Sequence, residues 1–190
     1  MKILIAYGTT EGQTRKIARF CADRLIEAGH SVELMRAADA EGLDVGRFDG
    51  AILAGSVHIG QYQDDLIRFA RGAAETLRLR PTLFLSVSLA AAGDEPDDWK
   101  GLQDCVARFC EATGWTPGRV EHIAGAFRFS QYDFFRTWAM RWIAARKGQR
   151  VVPGEDREYT DWEALRRLMK DWAESAGRGL SAPAVTARGP

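Results

Sequence analysis

The 190-residue sequence predicts an α/β fold, a three-layer sandwich in which one five-stranded parallel sheet lies between two layers of helices. Short, continuous apolar runs such as Ile3 to Tyr7 and Ala51 to Ala54 are typical of strands covered on both faces, as in parallel sheets. Helical segments of about 10 to 15 residues separate these runs, which implies right-handed βαβ crossovers. The hydrophobic content of 46% is enough for one domain with a full core.

The elements follow one another as a doubly wound sheet requires, and we expect the strand order 2-1-3-4-5. After the first strand, Ile17, Cys21 and Leu25 recur every four residues up to a stop at Gly29, as expected of an amphipathic helix. The alternation then continues along the chain. The further predicted strands and helices are, in chain order, strand 31–35, strand 51–54, helix 66–77, strand 83–87, helix 99–112 and strand 120–127.

The C-terminal part of the chain begins with a long connection. Residues from about 128 to 158 separate the fifth strand from the last helix, and a connection of this length is usually functional. The last helix is predicted to begin at Thr160, whose hydroxyl caps it while Glu163 reaches back in a capping box. We therefore expect one domain over 1–177, which contains this insert, and a disordered tail over 178–190.

Composition excludes several functional classes. The 26 basic and 26 acidic residues cancel, so no overall charge favours nucleic acid or acidic substrates. Cys21, Cys105 and Cys110 are an odd number without a C-x-x-C pair, which argues against a disulfide framework or a zinc site and predicts packed thiols in a reducing cytosol. The chain shows no signal-peptide pattern and no run of about 18 apolar residues, so we expect a cytoplasmic protein without a membrane span.

The turn between the first strand and the first helix is a candidate phosphate site. Residues 8–14 read Gly-Thr-Thr-Glu-Gly-Gln-Thr and precede a helix N-terminus, where unpaired N–H groups and about half a positive charge attract anions. Thr9, Thr10 and Thr14 add hydroxyl groups, and Gly12 permits close backbone approach. The loop matches neither the P-loop nor the G-x-G-x-x-G motif of dinucleotide folds. It therefore favours a terminal phosphomonoester, with simple helix capping as the alternative.

Two further loops are expected at the same edge of the sheet. They begin near Gly55 and Ser86, and in doubly wound sheets a ligand lies outside the C-terminal strand ends at the switch point, here between strands one and three. Tyr62 offers an aromatic face on which a ring of the ligand can stack, and the alternative is an aromatic residue that only begins a helix. His58 is a candidate contact or a solvated polar residue, and Ser88 is placed to meet the ring edge. A phosphate cup beside these loops fits flavin mononucleotide, FMN.

Three segments of the chain resemble one bacterial family. They read Tyr-Gly-Thr-Thr-Glu-Gly-Gln-Thr at 7–14, Gly-Ser-Val-His-Ile-Gly-Gln-Tyr at 55–62 and Phe-Leu-Ser-Val-Ser-Leu at 84–89. The family that they resemble is the flavodoxin-type, menaquinone-dependent protoporphyrinogen IX dehydrogenase. The resemblance extends to about Gly177 and includes the long insert. Residues 90–98 depart from it, because they are acidic where the family is expected to be more basic.

This resemblance implies a flavodoxin-like fold, FMN as cofactor, and oxidation of protoporphyrinogen IX in haem biosynthesis, with electrons passed to menaquinone in the membrane. FMN would supply the redox chemistry, so no catalytic side chain is assigned. The resemblance places the FMN phosphate at Thr9, Thr10, Glu11, Gly12, Gln13 and Thr14. It places the flavin ring at Ser56, Val57, His58, Ile59, Gly60, Tyr62, Ser86, Val87, Ser88, Leu89 and Ala90.

The insert combines basic and aromatic side chains. From Phe127 to Arg150, six basic residues accompany one acidic residue, for a net charge of +5, and a helix is predicted over about 132–147. This composition is typical of segments that bind an anionic bilayer, here the inner face of the cell membrane. Arginine side chains can also bind the two propionate groups of a tetrapyrrole. Packing on the domain or on a second protomer is the alternative, and nucleic acid is disfavoured. The candidate substrate or membrane residues are Arg128, Arg136, Trp138, Arg141 and Trp142.

Two other functions fit the same fold. A flavodoxin-type electron carrier would dock to redox partners, but such carriers typically show a strongly acidic surface, whereas this chain is neutral overall and its insert is basic. An NAD(P)H-dependent quinone reductase would consume NADH at substantial rates. The protoporphyrinogen IX dehydrogenase is the interpretation that the insert favours.

Overall fold

The computed structural model describes residues 1–127 and 157–181, and it has the predicted three layers. Five parallel strands form the central sheet in the order 2-1-3-4-5, so the fold class and the strand order are confirmed. The strands are Lys2–Gly8 (β1), Ser31–Arg36 (β2), Gly50–Ser56 (β3), Thr82–Ser88 (β4) and Arg119–Ala124 (β5).

Helices cover both faces of the sheet, as the crossovers require. They are Gln13–Glu27 (α1), Asp64–Gly72 (α2), Ala74–Arg78 (α3), Pro96–Thr113 (α4) and Trp162–Ser181 (α5). Helices α1 and α5 enclose one core with the odd-numbered residues of β1, and Trp172 is its largest side chain. Helices α2 to α4 enclose the other core around Phe84, Phe109 and Trp115. Each fully buried large apolar side chain stabilises the fold by about 1.5–3 kcal/mol.

The burial of the strands explains their sequence pattern. Strands β1, β3 and β4 are almost wholly buried because helices cover both of their faces, and they therefore read as continuous apolar runs. Strands β2 and β5 lie at the two edges of the sheet and are half-buried, which is why they contain polar as well as apolar residues. The pocket described below opens at the C-terminal ends of the three central strands.

Two predicted elements are divided in the structure. The helix predicted over 66–77 is interrupted at Ala73, where α2 ends and α3 begins. The strand predicted over 120–127 ends at Ala124, although the Gly125 N–H still donates to the carbonyl of Ser88 in β4 at 2.9 Å. The next residues, Ala126–Phe127 (β6), pair antiparallel with Arg157–Glu158 (β7). This ribbon joins the two ends of the insert, whose predicted helix lies outside the described residues.

Helix α5 has a different beginning and end from those predicted. Asp161 caps the helix, because its Oδ1 accepts the N–H of Ala164 at 2.9 Å, and the predicted capping box does not form. Glu163 pairs instead with Arg166 along the helix at 3.3 Å. The helix continues to Ser181, four residues beyond Gly177, and the domain boundary at that residue stays a prediction.

The three cysteines are free thiols, as predicted, with Cys21 and Cys105 buried and Cys110 half-buried. Burial raises the pKa of Cys21 to about 12, which keeps that thiol protonated and unreactive at neutral pH. In the ranges 1–127 and 157–181, no helix has the length and apolar content needed to cross a bilayer.

Candidate functional site

A pocket of about 330 Å³ opens at the C-terminal ends of β1, β3 and β4. It brings together the three loops that the sequence placed at one edge of the sheet. Its predicted lining residues are Thr9, Thr10, Glu11, Gln13, Thr14, Ser56, Val57, His58, Ile59, Gly60, Val87, Ser88, Leu89 and Ala90. The sequence analysis missed three further lining residues, Leu102 in α4, Gly125 after β5 and Ala126 in β6.

The first loop ends at an open helix N-terminus. Gly12 adopts φ +90°, in the left-handed region, and directly precedes α1. Its N–H donates to Thr9 Oγ1 at 2.9 Å, which closes the loop. None of the side chains that the structure describes caps α1, and the first turn of this helix contains no acidic residue. The unpaired N–H groups of α1 and its positive dipole end therefore stay available to an anion.

Thr14 provides a test of whether a phosphate fits this loop. Its side chain is 1% exposed and lines the pocket, yet its Oγ1 has no hydrogen-bond partner among the described residues. A buried hydroxyl without a partner costs about 1–3 kcal/mol. A phosphate oxygen at the N-terminus of α1 would supply the missing partner. The residues present therefore fit the phosphate of FMN.

Gln63 joins the first loop to the loop after β3. Its side-chain Nε2 donates to Thr10 Oγ1 at 3.1 Å and to Ser56 Oγ at 2.7 Å, and its Oε1 accepts the Ser56 N–H at 3.3 Å. A Cβ on Gly8 would lie 2.8 Å from the same Oε1 and 3.1 Å from the Gln63 Cβ, so a larger residue at this position would displace the Gln63 side chain. The sequence analysis missed Gln63, because no local sequence pattern predicts that a glutamine before a helix forms hydrogen bonds to two separate loops.

Gln13 connects the phosphate loop to the far end of the chain. It is 8% exposed, and its Nε2 donates to Thr160 Oγ1 at 3.0 Å. Thr160 in turn donates to the carbonyl of Ala124 at 2.7 Å, at the end of β5. Nearby, Lys16 pairs with Glu158 at 2.6 Å, an exposed pair of small energetic value. The first turn of α1 is thus fixed to the ribbon that closes the insert.

The structure places the ring of Tyr62 in the core. Its ring is 5% exposed and packs edge-on against Phe84 and Phe109, with centroids 5.0 and 5.2 Å away. Its hydroxyl donates at 2.8 Å to Ser86 Oγ, which is itself fully buried. Burial raises the pKa of Tyr62. Three of the residues predicted at this site, Gly12, Tyr62 and Ser86, do not line the pocket.

A tight turn forms the wall opposite the phosphate loop. His58 and Gln61 exchange two backbone hydrogen bonds of 2.8 and 3.0 Å around Ile59 and Gly60. Val57 donates its N–H to the carbonyl of Val87 at 2.8 Å, which ties the turn to β4. The candidate residues Arg128, Arg136, Trp138, Arg141 and Trp142 lie outside the described residues.

Sequence comparison finds similarity to named proteins along most of the chain. A family model described as a flavodoxin domain matches residues 4–151. A protein of Escherichia coli K12 named protoporphyrinogen IX dehydrogenase [quinone] is 29% identical over 174 residues, which cover 91% of this chain and 95% of that protein. A protein of the same name from Leishmania major is 26% identical, with coverage of 90% and 74%.

Comparison with solved structures supports the fold. A flavodoxin of Streptococcus pneumoniae superposes with a TM-score of 0.57 at 18% identity, covering 92% of this chain and 99% of that one. Flavodoxin 2 of Bacillus cereus gives 0.58 at 17% identity with the same coverage. At these identities the likeness concerns the fold alone.

Proposed function

The chain belongs to the flavodoxin domain family, which binds FMN, and we propose that it oxidises protoporphyrinogen IX to protoporphyrin IX with a quinone as electron acceptor. One observation carries the proposal. The similarity to the Escherichia coli protein covers 95% of that protein, so the two chains correspond almost end to end. Their shared length therefore includes the insert as well as the cofactor loops.

The described residues suggest a division of labour within the pocket. The N-terminus of α1, with the hydroxyl of Thr14, would hold the phosphate, because unpaired N–H groups and an unpaired buried hydroxyl meet there. The walls at 56–60 and 87–90 would hold the flavin ring. FMN supplies hydride acceptance when bound, and the protein supplies position and electrostatics.

The remaining lining residues would exclude water from the reacting faces. Val57, Leu89 and Leu102 bring aliphatic side chains to the pocket, and the small side chains of Ala90 and Ala126 complete its apolar lining. An apolar lining suits a tetrapyrrole macrocycle, which is itself large and apolar. Conversion of the porphyrinogen to the porphyrin removes six electrons and six protons, so each turnover would reduce three quinones to quinols.

The direct test is an anaerobic assay. Purified protein loaded with FMN is incubated with protoporphyrinogen IX and a menaquinone analogue, and porphyrin fluorescence is followed against a flavin-free control. We expect fluorescence to rise only with FMN and quinone together. No signal above the control would refute the proposal. A stable neutral semiquinone with fast exchange to a reductase would then identify an electron carrier, and rapid NADH consumption would identify a quinone reductase.

We further propose that menaquinone is the acceptor and that the insert brings the protein to the inner face of the cell membrane. The support is the net charge of +5 over 127–150 together with its aromatic residues. Each basic residue near an anionic surface contributes about 1 kcal/mol, screened by salt. The protein should co-sediment with anionic vesicles and dissociate as salt rises. Equal binding to neutral vesicles would contradict the electrostatic part.

A further inference from the structure

The side-chain amide of Gln63 is oriented by the backbone of Ser56. Its Oε1 accepts the Ser56 N–H at 3.3 Å, and its Nε2 donates to the Ser56 carbonyl at 3.1 Å. A backbone N–H can only donate and a carbonyl can only accept, so these two bonds determine which end of the amide carries the nitrogen. The nitrogen is therefore the atom of Gln63 that contacts Thr10 Oγ1 and Ser56 Oγ.

The backbone of Gln63 is anchored as well. Its carbonyl accepts the N–H groups of Leu66 and Ile67 at 3.0 and 3.1 Å, in the first turn of α2, and Leu66 is fully buried. Gly8, at the end of β1, leaves the space that the amide occupies, since a Cβ there would lie 2.8 Å from Oε1. Gln63 is thus held at its backbone and at the polar end of its side chain.

Two hydroxyl groups accept hydrogen bonds from this amide. Nε2 lies 3.1 Å from Thr10 Oγ1 and 2.7 Å from Ser56 Oγ. An amide nitrogen accepts no hydrogen bond, so neither hydroxyl can direct its own proton at Gln63. Thr10 and Ser56 both line the pocket, whereas Gln63 does not. The proton of each hydroxyl is therefore available to a ligand in the pocket.

Donors at these two positions match the two parts of FMN. Thr10 belongs to the loop proposed for the phosphate, and Ser56 belongs to the wall proposed for the flavin ring. The oxygens of an ionised phosphate and the carbonyl oxygens of a flavin ring accept hydrogen bonds and do not donate them. A hydroxyl that is already held as a donor needs no reorientation when the cofactor binds, and such preorganisation raises affinity.

We propose that Gln63 is a positioning residue of the cofactor site, which holds Thr10 and Ser56 as hydrogen-bond donors to FMN. Gln63 acts through the two hydroxyls and does not itself touch the cofactor. This inference rests on the placement of FMN in the proposed function, and it does not depend on which substrate reduces the flavin.

The test is Gln63→Glu, which keeps the length of the side chain and replaces a donor by an acceptor. At pH 7.5 the carboxylate accepts the protons of Thr10 and Ser56 and repels the phosphate, so the Kd for FMN should rise about 10- to 150-fold. Riboflavin has no phosphate, so its Kd should rise only about 2- to 12-fold, from the loss at Ser56. Flavin fluorescence titrations measure both values.

The pH dependence separates positioning from a structural role. Partial burial and the nearby phosphate raise the pKa of the introduced carboxyl above its ordinary value, and its neutral form can donate a hydrogen bond again. The FMN Kd of Gln63→Glu, divided by that of the native protein, should therefore fall at least about threefold between pH 7.5 and 5.0. The division removes the effect of the ionisation of FMN itself, which is common to both proteins.

Two further variants serve as controls. Gln63→Met removes the amide without adding a charge, so the Kd for FMN should rise only about 2- to 12-fold, to the same extent at pH 7.5 and 5.0. Gln103 is an exposed glutamine of α4 that does not line the pocket. Gln103→Glu adds the same charge there and should leave both flavin affinities within about twofold, because solvent screens it.

Gly8→Ala tests the role of Gln63 without changing Gln63. The added Cβ would displace the amide, so this variant should raise the Kd for FMN about as much as Gln63→Met does. In the Gln63→Met background the same substitution should add little, because the amide is already absent. Additive effects of the two substitutions would contradict a shared route through the amide.

The remaining outcomes separate this inference from the proposed placement of FMN. An unchanged Kd for FMN in Gln63→Glu would overturn the inference while the placement stands. Equal losses for FMN and riboflavin, or a ratio that does not change with pH, would overturn it too, because a purely structural role affects both flavins alike at every pH. A native protein that binds FMN no more tightly than riboflavin would overturn the phosphate placement together with the inference.

Discussion

Replacing Thr14 by valine should weaken FMN binding without destabilising the FMN-free protein. The two side chains have nearly the same shape, and Thr14 is 1% exposed, so the packing beneath the loop is conserved. The only group removed is a hydroxyl that has no hydrogen-bond partner among the described residues. Its loss should therefore matter only when a phosphate is bound.

The structure sets the size and sign of the two effects. A hydrogen bond from Thr14 to a charged phosphate contributes about 1.5–3 kcal/mol, so the Kd for FMN should rise about 10- to 150-fold. In the FMN-free protein, valine removes a buried polar group that is unpaired. The free energy of unfolding should therefore stay constant or rise by up to about 1 kcal/mol.

The assay compares FMN with riboflavin, which has no phosphate. Flavin fluorescence titrations should show a large loss of FMN affinity and little change for riboflavin, while urea unfolding gives the stability. Thr113→Val is the matched control, because Thr113 is 3% exposed but its hydroxyl donates to the Phe109 carbonyl at 2.8 Å and accepts the Trp115 N–H at 3.2 Å. That variant should lose about 1 kcal/mol of stability and keep its FMN affinity.

Two results would refute this reasoning about Thr14. Equal losses for FMN and riboflavin would mean that the hydroxyl serves the loop and not the phosphate. A drop in the unfolding free energy of the FMN-free Thr14→Val variant as large as that of Thr113→Val would mean that Thr14 already has a partner in the free protein.

Two other substitutions test contacts at the end of β5. Thr160→Val leaves Gln13 Nε2 and the Ala124 carbonyl without their hydrogen bonds, so the free energy of unfolding measured in urea should fall by about 1–3 kcal/mol. Thr160→Ser keeps the hydroxyl and should restore most of this stability. A fall of less than about 0.5 kcal/mol in Thr160→Val would contradict the prediction. Burial lowers the pKa of His122 from its ordinary value of 6.5, and the nearby Glu121 opposes this shift. The folded protein therefore favours the neutral imidazole, which stabilises the fold above pH 6.5, and this stabilisation is lost as the pH falls. In urea titrations between pH 7.5 and 5.5, His122→Gln should therefore lose less stability than the native protein, and parallel curves would contradict it.

The sequence was most informative where structure depends on local period and chain order. Apolar runs identified the central strands because both of their faces are covered, and the spacing of Ile17, Cys21 and Leu25 identified α1. The position of the loop at 8–14 between a strand and a helix was predictable, and its role as a phosphate site stays a prediction that rests on the anion affinity of helix N-termini. The cap of α5 was predicted one residue too early, since two adjacent residues, Thr160 and Asp161, both have side chains able to cap.

Side-chain roles in the pocket were less predictable. Tyr62 is compatible with either a ring contact or the core, and only the positions of Phe84 and Phe109 show that it is buried. Gln63 carries no local signal, because its partners belong to two other loops. The positive φ of +48° at Ile59 is likewise not visible in sequence, since turns of this kind favour asparagine and glycine.

The phosphate loop shows where the two sources of information divide. By itself the sequence determined that a strand, a glycine- and threonine-rich turn and a helix follow one another, because these features depend on neighbours within a few residues. Only the tertiary structure decided that Thr14 is buried without a partner and that Gln13 is bonded to a residue 147 positions later in the chain. Burial and long-range hydrogen bonds depend on how the chain packs against itself, and no local pattern specifies that packing.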